Sequence, residues 1–195
     1  MYLAKIKQIL TNPNKFFLNL NKEKSLQDAL LYFILLSAFS TLMGYFMLLL
    51  FGDTFARIVT SMFNLNTPIP DLSPMKLLGQ SVLSYILIVA SSFVVAAILY
   101  LWLLIFSGNK GYNKAYQLYT YSQTPSFLFR WIPLIGMFAG IYSFVLLVIG
   151  TKNIYNFSTL KSTLIYLIPL IVIFIVAIIF LTLGTLAFFN LNSLS

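Results

Sequence analysis

The chain has 195 residues, of which 60% are apolar, 17% aromatic and 8% charged, and its formal net charge is +8. Because a soluble domain carries about 25% charged residues, this composition indicates an integral membrane protein. The sequence has no His, no Cys and four acidic residues, which excludes disulfides and Cys-ligated zinc and removes the usual catalytic base and metal ligand. We therefore expect no enzymatic activity, no cofactor and no metal site.

Residues 1–27 form a basic segment that holds five of the twelve cations. Its apolar residues recur at helical spacing with lysines between them: Leu3, Ile6, Ile9 and Leu10. This pattern predicts a short amphipathic helix on the cytoplasmic side, lying at an anionic membrane surface. A solvated basic tail that serves only as a topology signal is an equally good interpretation.

Four uncharged hydrophobic runs follow, and each predicts a transmembrane helix: residues 29–51, 77–106, 133–149 and 162–189. The second run has 30 residues, about 45 Å at ~1.5 Å per residue. It must tilt or project beyond a hydrocarbon core of about 30 Å. The fourth run contains Pro169 near its start, where we expect a kink. Residues 28–195 are thus predicted to form a single membrane domain after the basic segment.

The residues alone leave open whether the polar segment 112–132 forms a fifth span. Several side chains of this segment would be costly against lipid: Gln117, Thr120, Ser122, Gln123 and Thr124. Such a segment crosses a bilayer only where neighbouring helices cover its polar face. The alternative is a chain with four spans.

The distribution of Lys and Arg favours a cytoplasmic N-terminus. Five spans would place nine cations inside and three outside, whereas four spans would place eight inside and four outside. With five spans the C-terminus lies outside. Because the cations are divided between two faces and form no basic stripe with interleaved aromatics, we expect no binding to nucleic acid.

A GxxxG pattern stands in the fourth span, where Gly136 and Gly140 are followed by Ser143 on the same face. Small residues let another helix approach closely. One interpretation is an interface with a second copy of the chain or with another membrane protein. The alternative, packing between helices of the same chain, is favoured because neighbouring spans need such a contact.

The polar segment at residues 115–132 supplies the remaining candidates for a functional site. Tyr119 and Tyr121 lie deeper in the five-span arrangement than the tyrosines at membrane interfaces, so they are candidates for a buried polar network. Arg130 is the cation nearest to apolar sequence, and it could hold a lipid phosphate or a substrate carboxylate. The alternative is that Arg130 snorkels to a headgroup at the end of its helix.

Several short motifs resemble those of the Yip family, the Ypt/Rab-interacting membrane proteins. Residues 119–125 (YTYSQTP) lead to residues 131–136 (WIPLIG), and residues 149–152 (IGTK) precede the last hydrophobic run. They are similar to the family's Tyr-x-Tyr-Ser…Pro segment, to the proline and glycine before its next span, and to the connection into its last helix. The candidate residues of these motifs are Tyr119, Tyr121, Ser122, Gln123, Pro125, Arg130, Pro133, Gly136, Gly140 and Gly150.

The resemblance implies five transmembrane helices with a cytoplasmic N-terminus and an external C-terminus, the third helix being residues 115–132. Eukaryotic members bind prenylated Rab-type GTPases in traffic between endoplasmic reticulum and Golgi. In this chain residues 27–30 (QDAL) stand where those members have a DLYGP motif, so the resemblance supports GTPase binding only weakly. The bias toward Asn, Ile, Lys, Phe and Tyr indicates a prokaryotic source, hence a cytoplasmic membrane. The alternative, for a eukaryotic source, is the endoplasmic reticulum or Golgi.

The sequence therefore predicts an all-α, multi-pass membrane bundle of Yip type, similar to short prokaryotic members. The expected function is non-enzymatic: organising membranes, or assisting the assembly or trafficking of membrane proteins, through helix and lipid contacts. The alternative is a small permease or lipid-handling transporter. That alternative requires a polar cavity, lined by the helix at residues 115–132, which reaches Gln117, Tyr121 and Arg130.

Overall fold

The structure is a computed structural model that describes residues 2–23, 25–63 and 73–192, with side chains up to residue 185. Every regular element in these ranges is a helix, which confirms the prediction of an all-α membrane bundle. The helices are α1 (Tyr2–Thr11), α2 (Pro13–Leu20), α3 (Leu26–Met62), α4 (Pro74–Ile105), α5 (Tyr112–Ser122), α6 (Thr124–Phe129), α7 (Ile135–Tyr155) and α8 (Thr159–Asn192).

Four helices are long and apolar enough to cross a membrane: α3, α4, α7 and α8. Each contains or overlaps one of the four predicted hydrophobic runs. Helix α3 has 37 residues, about 55 Å at ~1.5 Å per residue, which exceeds a hydrocarbon core of about 30 Å. It must therefore tilt or project from the bilayer.

The single helix predicted over residues 115–132 is instead two helices, α5 and α6, which meet at Gln123. Pro125 causes the break, because proline has no N–H to donate to the carbonyl of Tyr121 one turn earlier. The hydroxyl of Thr124 donates to that carbonyl at 2.7 Å. A side chain thus replaces the missing backbone hydrogen bond.

The N-terminal helices α1 and α2 pack against the rest of the protein. The predicted amphipathic helix at a membrane surface forms, but its apolar side is turned into the protein core. Ile9 and Phe17 are fully buried, and Phe16 and Leu20 nearly so. They share a hydrophobic cluster with residues of α3, α5 and α7. Leu3 is the exception on the predicted apolar side, because its side chain is exposed.

Buried side chains are concentrated at one end of the bundle, which we call the packed end. It consists of α1, α2, α5 and α6, together with the beginnings of α3 and α8 and the later parts of α4 and α7. Beyond it, α3, α4 and α8 expose most of their apolar side chains. Polar groups are therefore held inside protein at one end, while long apolar helices extend from it.

Candidate functional site

Helix α5 lies at the centre of the packed end, and seven of its 11 residues are buried. Its polar side chains would be costly against lipid, and in the structure they face other helices. Helices α3, α4 and α7 all contact α5. The polar segment is thus covered by the protein itself.

Three charged or polar side chains from distant parts of the chain meet beside α5. Lys5 Nζ donates to Glu23 Oε1 at 2.9 Å and to Tyr121 Oη at 3.0 Å. The hydroxyl of Tyr121 in turn donates to Glu23 Oε1 at 3.1 Å. These three residues, which we call the Lys5–Glu23–Tyr121 cluster, join α1 and the α2–α3 connection to α5.

Lys114 and Gln117 of α5 complete the hydrogen bonding of the α2–α3 connection. Lys114 Nζ donates to the backbone carbonyls of Leu20 and Glu23 and, at 2.9 Å, to Gln117 Oε1. Gln117 Nε2 donates to the carbonyl of Ser25 at 2.9 Å. Carbonyls at the end of a helix lack partners and carry partial negative charge, so a cation fits this position.

Aromatic rings enclose the polar cluster. The ring of Tyr121 packs at 5.1 Å from that of Phe16 and at 5.1 Å from that of Tyr32. The hydroxyl of Tyr32 bonds to Thr124 Oγ1 at 2.9 Å, and Tyr119 packs beside Phe33 with ring centroids 5.9 Å apart. Tyr121 is therefore part of a buried polar network, whereas Tyr119 contributes its ring to the core.

The structure distributes the other candidate residues over separate contacts. Ser122 is buried and donates to the carbonyl of Tyr119 at 2.8 Å, while Gln123 and Pro125 form the α5–α6 break. Pro133 precedes Leu134, which has a positive φ of 66° in the tight connection before α7. The candidates on α5 and α6 thus gather at the packed end, and Pro133 lies apart from them.

The two glycines of the GxxxG pattern have different surroundings. A Cβ added to Gly136 would lie 2.9 Å from the backbone Cα and O of Arg130, whereas one added to Gly140 would meet open space. Ser143, on the same face, bonds through its hydroxyl to Ser126 Oγ at 2.8 Å. Gly136 and Ser143 thus serve packing within the chain, and Gly140 leaves a small open surface.

Gly150 of α7 lies where three helices meet. A Cβ at this position would overlap Leu118 Cδ1 of α5 and would lie 3.0 Å from Phe17 Cε1 of α2. Glycine lets the N-terminal helices approach α7 closely. The position therefore fixes how α2 is seated on the bundle.

A cavity of about 340 Å³ lies between α3, α4 and the α6–α7 connection. We call it the Arg130 cavity, because Arg130 and Trp131 line it together with hydroxyl and amide side chains of α3 and α4. Neither Gln117 nor Tyr121 lines it. The Arg130 cavity does not reach those two side chains, which are hydrogen-bonded inside the packed end.

Sequence reasoning did not single out Lys5, Glu23 or Lys114. Glu23 stands 18 residues from Lys5 and 98 from Tyr121, so no local spacing reveals the cluster. The one available signal was the scarcity of acids: Glu23 is an acid within the most lysine-rich segment of the chain. In the described part of the chain, no group of three His, Cys, Asp or Glu side chains could hold a metal ion.

The protein has four long apolar helices and the polar helix α5, which the N-terminal segment covers. These features define an α-helical multi-pass membrane protein. The family model of the Yip1 domain matches residues 7–181, so the chain belongs to the Yip1 domain family. The resemblance predicted from the motifs is thereby confirmed. The match includes Glu23, Tyr121 and Arg130. Searches of curated proteins and of solved structures gave no match at the significance required.

Proposed function

We propose that this Yip1-domain protein has no enzymatic activity and organises membranes, or assists the assembly or trafficking of other membrane proteins, through helix and lipid contacts. The observation that carries the proposal is the difference in side-chain burial between the packed end and the rest of the bundle. Polar groups are satisfied at the packed end, while the long apolar helices are left mostly uncovered. A protein of this form has helix surface to offer to other molecules in the bilayer.

Helix α8 offers the largest free surface. Its contacts within the chain are confined to its beginning, where Ile165 and Tyr166 are buried and Lys161 Nζ donates to the carbonyl of Phe106 at 2.8 Å. All side chains of residues 170–185 are exposed. Association of helices in a bilayer depends on close packing more than on hydrophobicity, so this helix is suited to partner helices as well as to lipid.

The hydrogen bonding of α5 supports a non-enzymatic role. Lys5, Glu23 and Tyr121 are bonded to each other, and none of them lines the Arg130 cavity. A general base or nucleophile must reach its substrate within hydrogen-bond distance. These groups instead hold the N-terminal helices on the bundle.

The placement of cations supports the proposed orientation, with the N-terminus in the cytoplasm and the C-terminus outside. Eight of the eleven described cations lie on helices of the packed end or in the connections between them, whereas Arg57, Lys76 and Arg130 lie toward the opposite end. Positive charge accumulates on the cytoplasmic side of membrane proteins. We propose five spans, with α5 and α6 together as the third, in a prokaryotic cytoplasmic membrane. A small GTPase is not part of this proposal.

Photocrosslinking from α8 tests the proposed function. A photoreactive amino acid at Phe174 is expected to capture other membrane proteins in native membranes, because that side chain is exposed. The same amino acid at the buried Leu146 of α7 is the matched control. Deleting the protein should then lower the abundance of the captured proteins. Adducts with lipid alone, together with unchanged abundance of membrane proteins, would contradict a role in assembly.

A further inference from the structure

Arg130 is a cation without a counterion in the described part of the chain. Neither a hydrogen bond nor an ion pair joins its guanidinium group to another described residue. The guanidinium group lies beside the ring of Phe127, whose centroid is 6.0 Å from Arg130 Cζ. A cation close to apolar helices is costly unless an anion or polar groups surround it.

Polar side chains of the Arg130 cavity share this lack of partners. Serines elsewhere on α3 and α4 donate to a carbonyl of their own helix, as Ser37 does to Ile34 and Ser92 to Val89. That internal bond is the common arrangement for hydroxyls within helices. Five cavity side chains make no hydrogen bond with other described residues: Ser40, Thr41, Gln80, Ser81 and Ser84.

The position of the cavity along the helices matches a membrane interface. Gly44, which lines it, follows the first residue of α3 by about 27 Å at ~1.5 Å per residue. A hydrocarbon core is about 30 Å thick. If the first residues of α3 lie at one surface of the bilayer, the Arg130 cavity lies close to the headgroups of the opposite surface.

We infer that the Arg130 cavity binds the phosphate of an anionic phospholipid headgroup. Arg130 supplies the positive charge, and the free hydroxyl and amide groups of α3 and α4 donate to the remaining phosphate oxygens. This inference goes beyond the proposed function, because it assigns a site for one class of lipid.

The chemistry of the lining favours an anion. The lining includes no Asp or Glu, so nothing there would attract a cation or a zwitterion's ammonium group. A guanidinium group binds phosphate through two parallel hydrogen bonds. The cavity volume of about 340 Å³ is roughly eleven times the volume that one water occupies in the liquid (~30 Å³), so a phosphoglycerol group has room.

Trp131 provides the measurement, because it lines the cavity and the chain has only one other tryptophan, Trp102. In the full chain carrying Trp102→Phe, purified in detergent, we expect phosphatidylglycerol to change the fluorescence of Trp131 in a saturable way. Arg130→Gln should weaken this binding by about tenfold or more, since it removes a charge-assisted pair. Arg57→Gln is the matched control. Arg57 lies later on α3 and does not line the cavity, so this variant should bind normally.

Two further arms decide between ligands. If inorganic phosphate saturates the fluorescence change of Trp131 at the same concentration as phosphatidylglycerol, the assignment to a headgroup is overturned. Phosphatidylcholine that binds as tightly as phosphatidylglycerol would overturn the assignment to an anionic lipid. The double variant Gln80→Leu with Ser84→Ala keeps the charge of Arg130 and removes an amide and a hydroxyl donor from the cavity lining. It should also weaken binding of phosphatidylglycerol. Native mass spectrometry should find the bound lipid in the parent protein and lose it in Arg130→Gln; equal retention would refute the site.

Discussion

The hydroxyl of Tyr121 donates to the carboxylate of Glu23 across 98 residues of sequence, at a distance of 3.1 Å. This bond joins the polar helix α5 to the connection between the N-terminal helices and the first long helix. Lys5 adds a second bond to each of the two groups. The N-terminal segment is therefore an integral part of the fold.

Removing the hydroxyl in Tyr121→Phe should lower the free energy of unfolding by about 1.5–3 kcal/mol, the range for hydrogen bonds to charged groups. The loss leaves Glu23 with Lys5 as its remaining side-chain partner. Thermal unfolding in detergent measures the effect, and protease should cut near residues 1–23 sooner. Tyr45→Phe is the control, because the Tyr45 hydroxyl makes no hydrogen bond with other described residues. Equal stability of the two variants would argue against the cluster.

Thr124→Val should destabilise the α5–α6 break by about 1–3 kcal/mol, because it leaves a buried carbonyl without a donor. The hydroxyl of Thr124 serves both the carbonyl of Tyr121 and the hydroxyl of Tyr32. Thr182→Val removes an exposed hydroxyl that bonds to its own helix, so it should have little effect. Denaturant titration in mixed micelles measures the free energy of unfolding of both variants. If Thr124→Val loses no more stability than Thr182→Val, the proposed replacement bond is contradicted.

Gly150→Ala should destabilise the protein by about 1–3 kcal/mol through overpacking, because its Cβ would overlap Leu118 and approach Phe17. Gly140→Ala is the matched change in the same helix. Its Cβ meets open space, so higher helix propensity should leave stability unchanged or raise it by up to about 1 kcal/mol. The melting temperatures of the two variants test the packing, and a reversed order would disprove it.

Gly140 also tests association with a second copy. If its open surface is the contact, Gly140→Ile should lower the yield of crosslinked dimers in membranes while the melting temperature stays the same. Gly136→Ala is not suitable for this test, since its Cβ would collide with the backbone of Arg130 in the same chain. Unchanged crosslinking in Gly140→Ile would exclude this face as a dimer interface.

The absence of cysteine from the sequence makes the topology directly measurable. In single-cysteine variants, we expect Leu134→Cys in the α6–α7 connection to react with an impermeant reagent from outside the cell. Asn109→Cys, in the α4–α5 connection, should react only after the membrane is opened. Both positions are exposed. Labelling of the two positions from the same side would refute the five-span arrangement.

The hydrophobic runs were sufficient to predict α3, α4, α7 and α8, because length and the lack of charge constrain a helix in lipid. They could not predict the surroundings of the N-terminal helices. The spacing of Ile6 and Ile9 specifies an apolar face but not what covers that face. In the structure α1 contacts α2 and α6, where the sequence pattern indicated lipid.

The motif residues show a similar limit. Tyr121 was recognisable as a deep polar residue, yet its partners Lys5 and Glu23 lie far away in sequence and carry no spacing signal. Gly136 and Gly140 formed one pattern in the sequence, but the structure separates them, because Gly136 meets the turn at Arg130 and Gly140 meets nothing. Local sequence identifies small or polar positions, while the contacts that give them meaning depend on the tertiary fold.

The seating of α2 against Gly150 of α7 also sets an order of events during synthesis. The N-terminal helices leave the ribosome first, but the surface that receives them is complete only after residue 150 has been made. While α3 and α4 insert, the lysines of the first segment therefore remain available to the membrane surface, where they can fix the orientation of the growing chain. Docking of α2 onto α7 then closes the bundle, while Lys7, Lys15 and Lys22 stay exposed.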